Sequence, residues 1–156
     1  MKIRKAKIKD LKEIDEIYKE GILDEGRTKL SKKSKKEILS DLNKSKKYRL
    51  KGFRKAISSS KERVLVCEED EKIIGFSGAA LSDKKRGAEI TLVYLRKEYR
   101  KKSFGGKMVR RLMEWLKKNK ESEVNVTMDF VNEASINLHK KFGFKVVSII
   151  MQKKLK

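Results

Sequence analysis

The chain has 156 residues, 38% of them apolar, which is the size and core content of one ordinary domain. Lysine and arginine number 43 against 22 aspartates and glutamates, a net charge of +21. One cysteine, Cys67, and one histidine, His139, exclude a disulfide framework and a thiolate- or histidine-rich centre, so no metal is expected. No apolar run approaches the roughly 20 residues that span a bilayer. The opening MKIRKAKIKD lacks the apolar stretch of a signal peptide. The expectation is a cytoplasmic protein with no membrane partner. With no proline, no Ser/Gly linker and no repeat, residues 1–156 are expected to form a single domain.

Residues 2–8 alternate through Ile3, Ala6 and Ile8 and predict a strand. Asp10 is placed to cap a helix carrying Leu11, Ile14, Ile17 and Tyr18 on one face, with Gly21 or Gly26 as its end. From Lys29 to Lys55 there are twelve basic residues, opposed only by Glu37 and Asp41. Apolar residues recur there at helical spacing, as Ile38, Leu39 and Leu42 and then Leu50, Phe53 and Ile57. The segment therefore predicts two short amphipathic helices with a basic outer side, closed by Ser58–Ser60. RVLVCEE and KIIGFSGAAL form a hairpin signal around Glu69–Lys72, with Cys67 as a buried, inert thiol. AEITLVYL predicts another strand. Met108, Leu112, Trp115 and Leu116 mark a buried helical stripe. EVNVTMD reads as a strand, NEASINLHKKFGF as a short helix ended by Gly143, and KVVSIIMQKKL as a last strand. With the basic pair counted as one helical unit, the order is β-α-α-β-β-β-α-β-α-β, a mixed α/β sheet.

The positive charge has two readings: a lysine-rich surface, or a polyanionic partner such as nucleic acid or an acidic protein held by Lys29–Lys55. A net charge this large disfavours a cationic small acceptor, unless acids such as Asp15, Glu16, Asp24 and Glu25 offset it locally.

The segment Ala88 to Lys107 carries the chemistry. A strand runs into a loop with Gly105 and Gly106 and the basic residues Arg100, Lys101 and Lys102, and the loop opens a helix. Unpaired N–H groups at a helix start carry partial positive charge, and small residues let a phosphate approach them. Neither the GxxxxGK[ST] nor the GxGxxG pattern is present. The segment is an anion cradle or an ordinary turn with surface lysines.

YRKKSFGGKMVRRLMEWL resembles the acetyl-CoA signature R/Q-x-x-G-x-G/A of the GNAT superfamily of N-acetyltransferases. Arg100 and Gly105 match its ends, and Ser103 stands at its first glycine. Asn132–Phe144 is similar to the family's N-x-x-A-x-x-L-Y-x-K-x-G-F block. Asn132, Leu138, Lys141, Gly143 and Phe144 fit it; Ser135 replaces the alanine and His139 the tyrosine. The opening strand and helix and Gly75 also match, so the resemblance covers nearly the whole chain.

The resemblance implies a single-domain α/β (α+β) fold: a mixed, mostly antiparallel sheet flanked by helices, its central strands splayed at the acetyl-CoA site. It implies backbone pairing of Val93, Tyr94 and Leu95 with pantetheine. The pyrophosphate would rest on the N–H groups of Lys101, Lys102, Ser103, Phe104, Gly105 and Gly106, beside Arg100. Ser103 in place of glycine implies left-handed strain of about 1 kcal/mol. Asn132 and His139 would face the pantetheine arm and the sulfur.

Amide formation from a thioester needs a base for the amine, donors for the oxyanion and an acid for the thiolate. The resemblance nominates Glu89 as base, Asp129 as a weaker alternative, a backbone N–H near Leu95 as oxyanion donor and His139 as acid. Tyr94, Tyr99 and Trp115 read as packing residues. The expected function is N-acetyl transfer from acetyl-CoA to an amine by direct attack, the acceptor being a protein N-terminus, a lysine or a small amine. The alternative is a nucleic-acid- or ribosome-associated basic protein with a vestigial coenzyme A site. A homodimer is compatible with either.

Overall fold

A computed structural model describes residues 1–24, 33–84, 87–151 and 153. Five strands, β1 (Lys2–Lys5), β2 (Glu62–Glu69), β3 (Lys72–Ala80), β4 (Ala88–Leu95) and β5 (Val124–Val126), form one sheet in the order β1-β2-β3-β4-β5. The first three pairings are antiparallel and β4–β5 is parallel. The hairpin joining β2 to β3 turns through Asp70 and Glu71, both with positive φ (47° and 61°). That backbone matches the twist of the strands it joins.

Alternation along the strands sorts the core into two layers. Val64, Val66, Phe76 and Tyr94 face α1 (Leu11–Asp24), α2 (Lys35–Lys44) and α3 (Lys46–Ser58), where they meet Ile14, Ile17, Ile38, Phe53 and Ile57. Leu65, Ala79 and Ile90 face α4 (Phe104–Lys118), whose stripe is Val109, Leu112 and Leu116, with Leu138 of α5 (Glu133–Lys140) beside it. Met108 joins Cys67 and Ile74 in a third cluster. Burial pushes the Cys67 thiol pKa up, as an inert thiol requires.

Several expectations are corrected. Asp10 does not cap α1 through its side chain. It accepts from the Lys7 N–H at 2.7 Å and from both Nη atoms of Arg4 at 2.7 and 3.0 Å, because a buried carboxylate (3% exposed) holds the nearest guanidinium. Gly21 does not end α1, which runs on to Asp24. A Cβ at Gly21 would lie 2.2 Å from the Tyr94 ring, so glycine there lets the helix seat on the sheet; Gly26 lies outside the described residues. Leu39 is exposed. Trp115 is half-buried, with the Arg63 guanidinium 5.2 Å above its ring. β5 stops at Val126, and no strand forms among the described residues after Phe144, where Val146, Val147, Ile149, Ile150 and Met151 are 66–92% exposed. A strand needs a partner edge, and a three-residue β5 offers little of one.

Two arginines fasten the helical layer. Arg4 also reaches Glu68 at 2.8 Å, tying β1, β2 and the turn before α1. Arg49 donates from Nε to Asp15 at 2.7 Å and from Nη1 to the Leu42 carbonyl at 2.8 Å, joining α1, α2 and α3.

Arg4 holds the Asp10 carboxyl pKa below the usual carboxylate range. A depressed folded-state pKa gives stability that is full above the ordinary carboxylate pKa and is lost as pH falls through the depressed one. Arg4→Met is expected to cost about 2 kcal/mol or more at pH 7, since it strands a buried charge. It should also flatten the loss of stability below about pH 4. Urea unfolding from pH 7 to pH 2 checks both; an equally steep acid limb in the variant removes the Arg4–Asp10 pair as its cause.

Candidate active site

The parallel pairing of β4 with β5 covers only Ala88–Ile90 against Val124–Val126. At that point β4 bulges. Ala79 faces Ile90 and Gly78 faces Leu92, which leaves Thr91 without a partner on β3. A Cβ on Gly78 would sit 2.6 Å from the Thr91 hydroxyl oxygen, so a side chain there would collide with the bulge. Beyond Ile90 and Val126 the chains part. A cleft of about 170 Å³ opens between residues 90–94 and 126–129, closed at one end by Asn132, Ser135 and His139. This is the expected splay.

His139 is 3% exposed. Its Nδ1 lies 2.9 Å from the Ser135 carbonyl oxygen, which can only accept, so Nδ1 carries a proton. Nε2 is buried with no hydrogen-bond partner. In the neutral ring that atom bears the lone pair, so the histidine offers the cleft a proton acceptor. Phe144 packs edge-on against the ring at 5.3 Å between centroids and fixes its plane.

α4 begins beside Leu95, the last residue of β4, and Leu138 of α5. Its first backbone bond runs from the Lys107 N–H to the Ser103 carbonyl at 3.1 Å, so the N–H groups of Phe104, Gly105 and Gly106 precede the helical ladder. Lys101 and Ser103 both adopt left-handed conformations, with φ of 61° and 63°. The strain expected at Ser103 is therefore present. Gly105 is buried against Leu138 and Leu95, which sets the helix start close to the sheet. Arg100 is turned away from the cradle: Nε donates to the Leu95 carbonyl at 3.0 Å and Nη1 pairs with Asp24 at 3.1 Å. Lys102 lies 5.4 Å above the Tyr99 ring.

Val93 pairs with Ser77, Tyr94 with Phe76 and Leu95 with Gly75, so β4's bond to β3 continues where β5 has left it. Tyr94 packs edge-on against Tyr18, as the packing reading requires. Asn132 accepts from the Ser135 N–H at 3.0 Å, so its oxygen caps α5. Glu89 is half-buried and projects to the α1–α3 face, opposite to Ala88 and Ile90. It lines neither the cleft nor the cavity described next. Asp129 lines the cleft.

On the α1–α3 side lies a second cavity, of about 240 Å³, floored by β2, β3 and β4 and roofed by Arg49, Gly52, Phe53 and Ala56 of α3. Both cavities are lined by Thr91 and Leu92. Thr91 and Leu92 thus stand between the cleft and a separate chamber. Sequence reading counted Arg49 with the basic surface. Its place four residues before Phe53 and eight before Ile57 was the available sign that it belongs to the buried stripe.

Residues 30–144 match the model of the acetyltransferase (GNAT) family. Among solved structures, the chain is similar to the PaiA N-acetyltransferase of Thermoplasma acidophilum, solved in complex with coenzyme A. The identity is 24% over 96% of this chain and 92% of that one, with a TM-score of 0.79. It is similar to the BH1408 protein of Bacillus halodurans at 15% identity over the whole of both chains, TM-score 0.79. It is also similar to an aminoglycoside 6′-N-acetyltransferase of Acinetobacter haemolyticus, at 16% identity over 100% and 99% of the chains, TM-score 0.69. These likenesses establish the fold. A comparison with curated proteins returns no match. No helix among the described residues is long and apolar enough to cross a membrane.

Two stability outcomes follow from the cradle and the cap. Ser103→Gly relieves a left-handed side chain and frees the unfolded chain, for a net gain of about 0.5 kcal/mol or more. Asn132→Ala loses the α5 cap and should cost about 1 kcal/mol, while Asn132→Asp keeps most of it. Denaturant midpoints check both; a destabilised Ser103→Gly protein would mean the serine side chain supports the cradle.

Proposed function

The chain belongs to the GNAT acetyltransferase family, and from that premise we propose that it acetylates an amine entering through the chamber on the α1–α3 face. Acetyl-CoA supplies the activated thioester carbonyl. The residues present fit it: free N–H groups at the start of α4 suit a pyrophosphate, and an unpartnered imidazole nitrogen suits the reacting end. The N–H groups from Lys101 to Gly106 hold the pyrophosphate. The backbone of Val93–Leu95 and the Asn132 amide hold the pantetheine arm. In this reading Arg100 fixes the cradle through Leu95 and Asp24 instead of touching phosphate.

His139 does the proton work. Nε2 accepts a proton from the amine, which frees the nitrogen lone pair for attack on the carbonyl. The imidazolium, still anchored by Nδ1–H to Ser135, then returns that proton to the departing sulfur. The same atom serves as base and acid for one proton; the second, shed by the nitrogen once it has attacked the carbonyl, leaves to solvent. Glu89 lies outside both cavities and in this reading is not the proton acceptor. The observation that carries the proposal is that the two cavities share Thr91 and Leu92, with His139, whose buried Nε2 has no hydrogen-bond partner, lining the cleft. A basic binding protein with a vestigial site has no use for either feature.

Acetyl-CoA at about 100 times its dissociation constant should stabilise the fold by about 2.7 kcal/mol. Mass spectrometry of a mixed amine and peptide library should reveal acetylated products. His139→Phe should lower kcat by roughly 100-fold with coenzyme affinity little changed. Glu89→Gln should stay within about twofold of wild type, since that change removes no group from either cavity. Full activity in His139→Phe, or collapse in Glu89→Gln, assigns the proton transfer to another group.

A further inference from the structure

The chamber's electrostatics narrow the acceptor. Of the residues lining it, only Arg49 and Glu62 carry charge, and the rest of the wall is mostly apolar. The Arg49 side chain is 9% exposed. Nε is bonded to Asp15, and Nη1 to Leu42 and Ser45, while Nη2 is buried and has no partner. An arginine whose whole task was to bridge α1 and α3 would send its last nitrogen to water or to a carbonyl. This one ends beside a chamber with a donor unused, and a buried donor left unpaired is costly.

Four α1 acids that could have drawn a polycation are paired, and Glu25 lies outside the described residues. Along α1, Asp15 pairs with Arg49, Glu16 lies 3.7 Å from Arg96, Glu20 is bonded to the same arginine, and Asp24 pairs with Arg100 at 3.1 Å. The side chain of Glu62, at the β2 end of the chamber, has no hydrogen-bond or ion-pair partner among the described residues and is the single carboxylate on its wall. One donor of an arginine on the roof and one carboxylate at the floor's edge complement a molecule with one oxygen acceptor and one ammonium.

Resting on the acetyltransferase reading above, we propose that the acceptor is an amine of amino-acid size that carries a carboxylate or peptide carbonyl oxygen, taken by Nη2 of Arg49. Polyamines and aminoglycosides are excluded as preferred acceptors. They bring several cations to a protein of net charge +21 whose facing acids are neutralised. The volume of about 240 Å³ suits one aliphatic or aromatic residue beside the amine.

Wild-type protein with saturating acetyl-CoA is assayed against leucine, leucinamide, 3-methylbutylamine and spermidine. These share an amine and differ in whether an oxygen accompanies it. The expected kcat/KM for leucine or leucinamide exceeds that for 3-methylbutylamine by about tenfold or more, the weight of a hydrogen bond to a charged group. Leucine against leucinamide separates carboxylate from carbonyl recognition. In Arg49→Lys, which keeps a cation for Asp15 and loses Nη2, the ratio should fall toward one while acetyl-CoA affinity holds. Equal or better use of 3-methylbutylamine or spermidine by the wild type overturns the inference and leaves acetyl transfer standing. An unchanged ratio in a folded Arg49→Lys protein also overturns it. Failure to bind acetyl-CoA at all removes the acetyltransferase reading and this inference with it.

Discussion

The early parting of β4 from β5 is the constraint on which the site depends. Backbone groups in a sheet are satisfied by neighbours, so a strand that leaves its partner after three residues exposes an edge. Here the loss is confined to one side, because β4 keeps its bonds to β3 through Leu95. The bulge at Thr91 rotates β4 at the same step, and Gly78 leaves room for it. At that step Thr91 and Leu92 line both cavities, and in the proposed reading the passage between cofactor and acceptor lies there.

Charge is organised around the same passage by subtraction. The protein carries 43 basic residues, yet the arginines nearest the site are held in ion pairs. Arg96 and Arg100 turn toward α1, and Arg49 turns toward Asp15. Each pairing binds a helix to the sheet or to another helix and leaves a local field set by single atoms. The surplus charge sits on the outer sides of α2 and α3, where Lys35, Lys36, Lys46, Lys47, Lys51, Arg54 and Lys55 are exposed. At physiological salt, charges more than about 8 Å from the passage are screened. The hydrogen bonds of the site and the surplus charge of the outer helices are therefore carried by different residues.

Much of this was legible in the sequence where local pattern decides. The hairpin at Asp70-Glu71 announced itself because two apolar runs bracket a four-residue polar turn. The α4 stripe followed from 3.6-residue spacing, and Gly143, with φ of 86°, sits where a left-handed helix end was expected. Ser103 and His139 stood out as departures from a motif, and both lie at the site. What failed depends on distant partners. Period-two alternation in KVVSIIMQKKL predicts a strand but cannot say whether an edge awaits it. Arg49 was misread as surface because a tally of charges ignores helix phase, and its partner Asp15 is 34 residues away. The Glu89 nomination is of a different kind: it rests on position along a strand, and the residue lines neither cavity.

The cleft's β4 wall and the start of α4 are linked through the last residue of β4. The Leu95 carbonyl receives Arg100, the first residue of the cradle motif, and the Leu95 side chain packs against Gly105 at the start of α4. Arg96, next in line, donates its backbone N–H to Ile74 on β3 at 2.8 Å and its side chain to α1. The strand that opens the passage thus also fixes the distance from the passage to the helix terminus. A cofactor with a phosphate at one end and a reacting group at the other is a ruler, and it is read correctly only if both stops belong to one rigid element. Tying them to β4, paired to β3 from Glu89 to Leu95 on either side of the Thr91 bulge, meets that requirement with backbone hydrogen bonds, the least adjustable bonds in the fold.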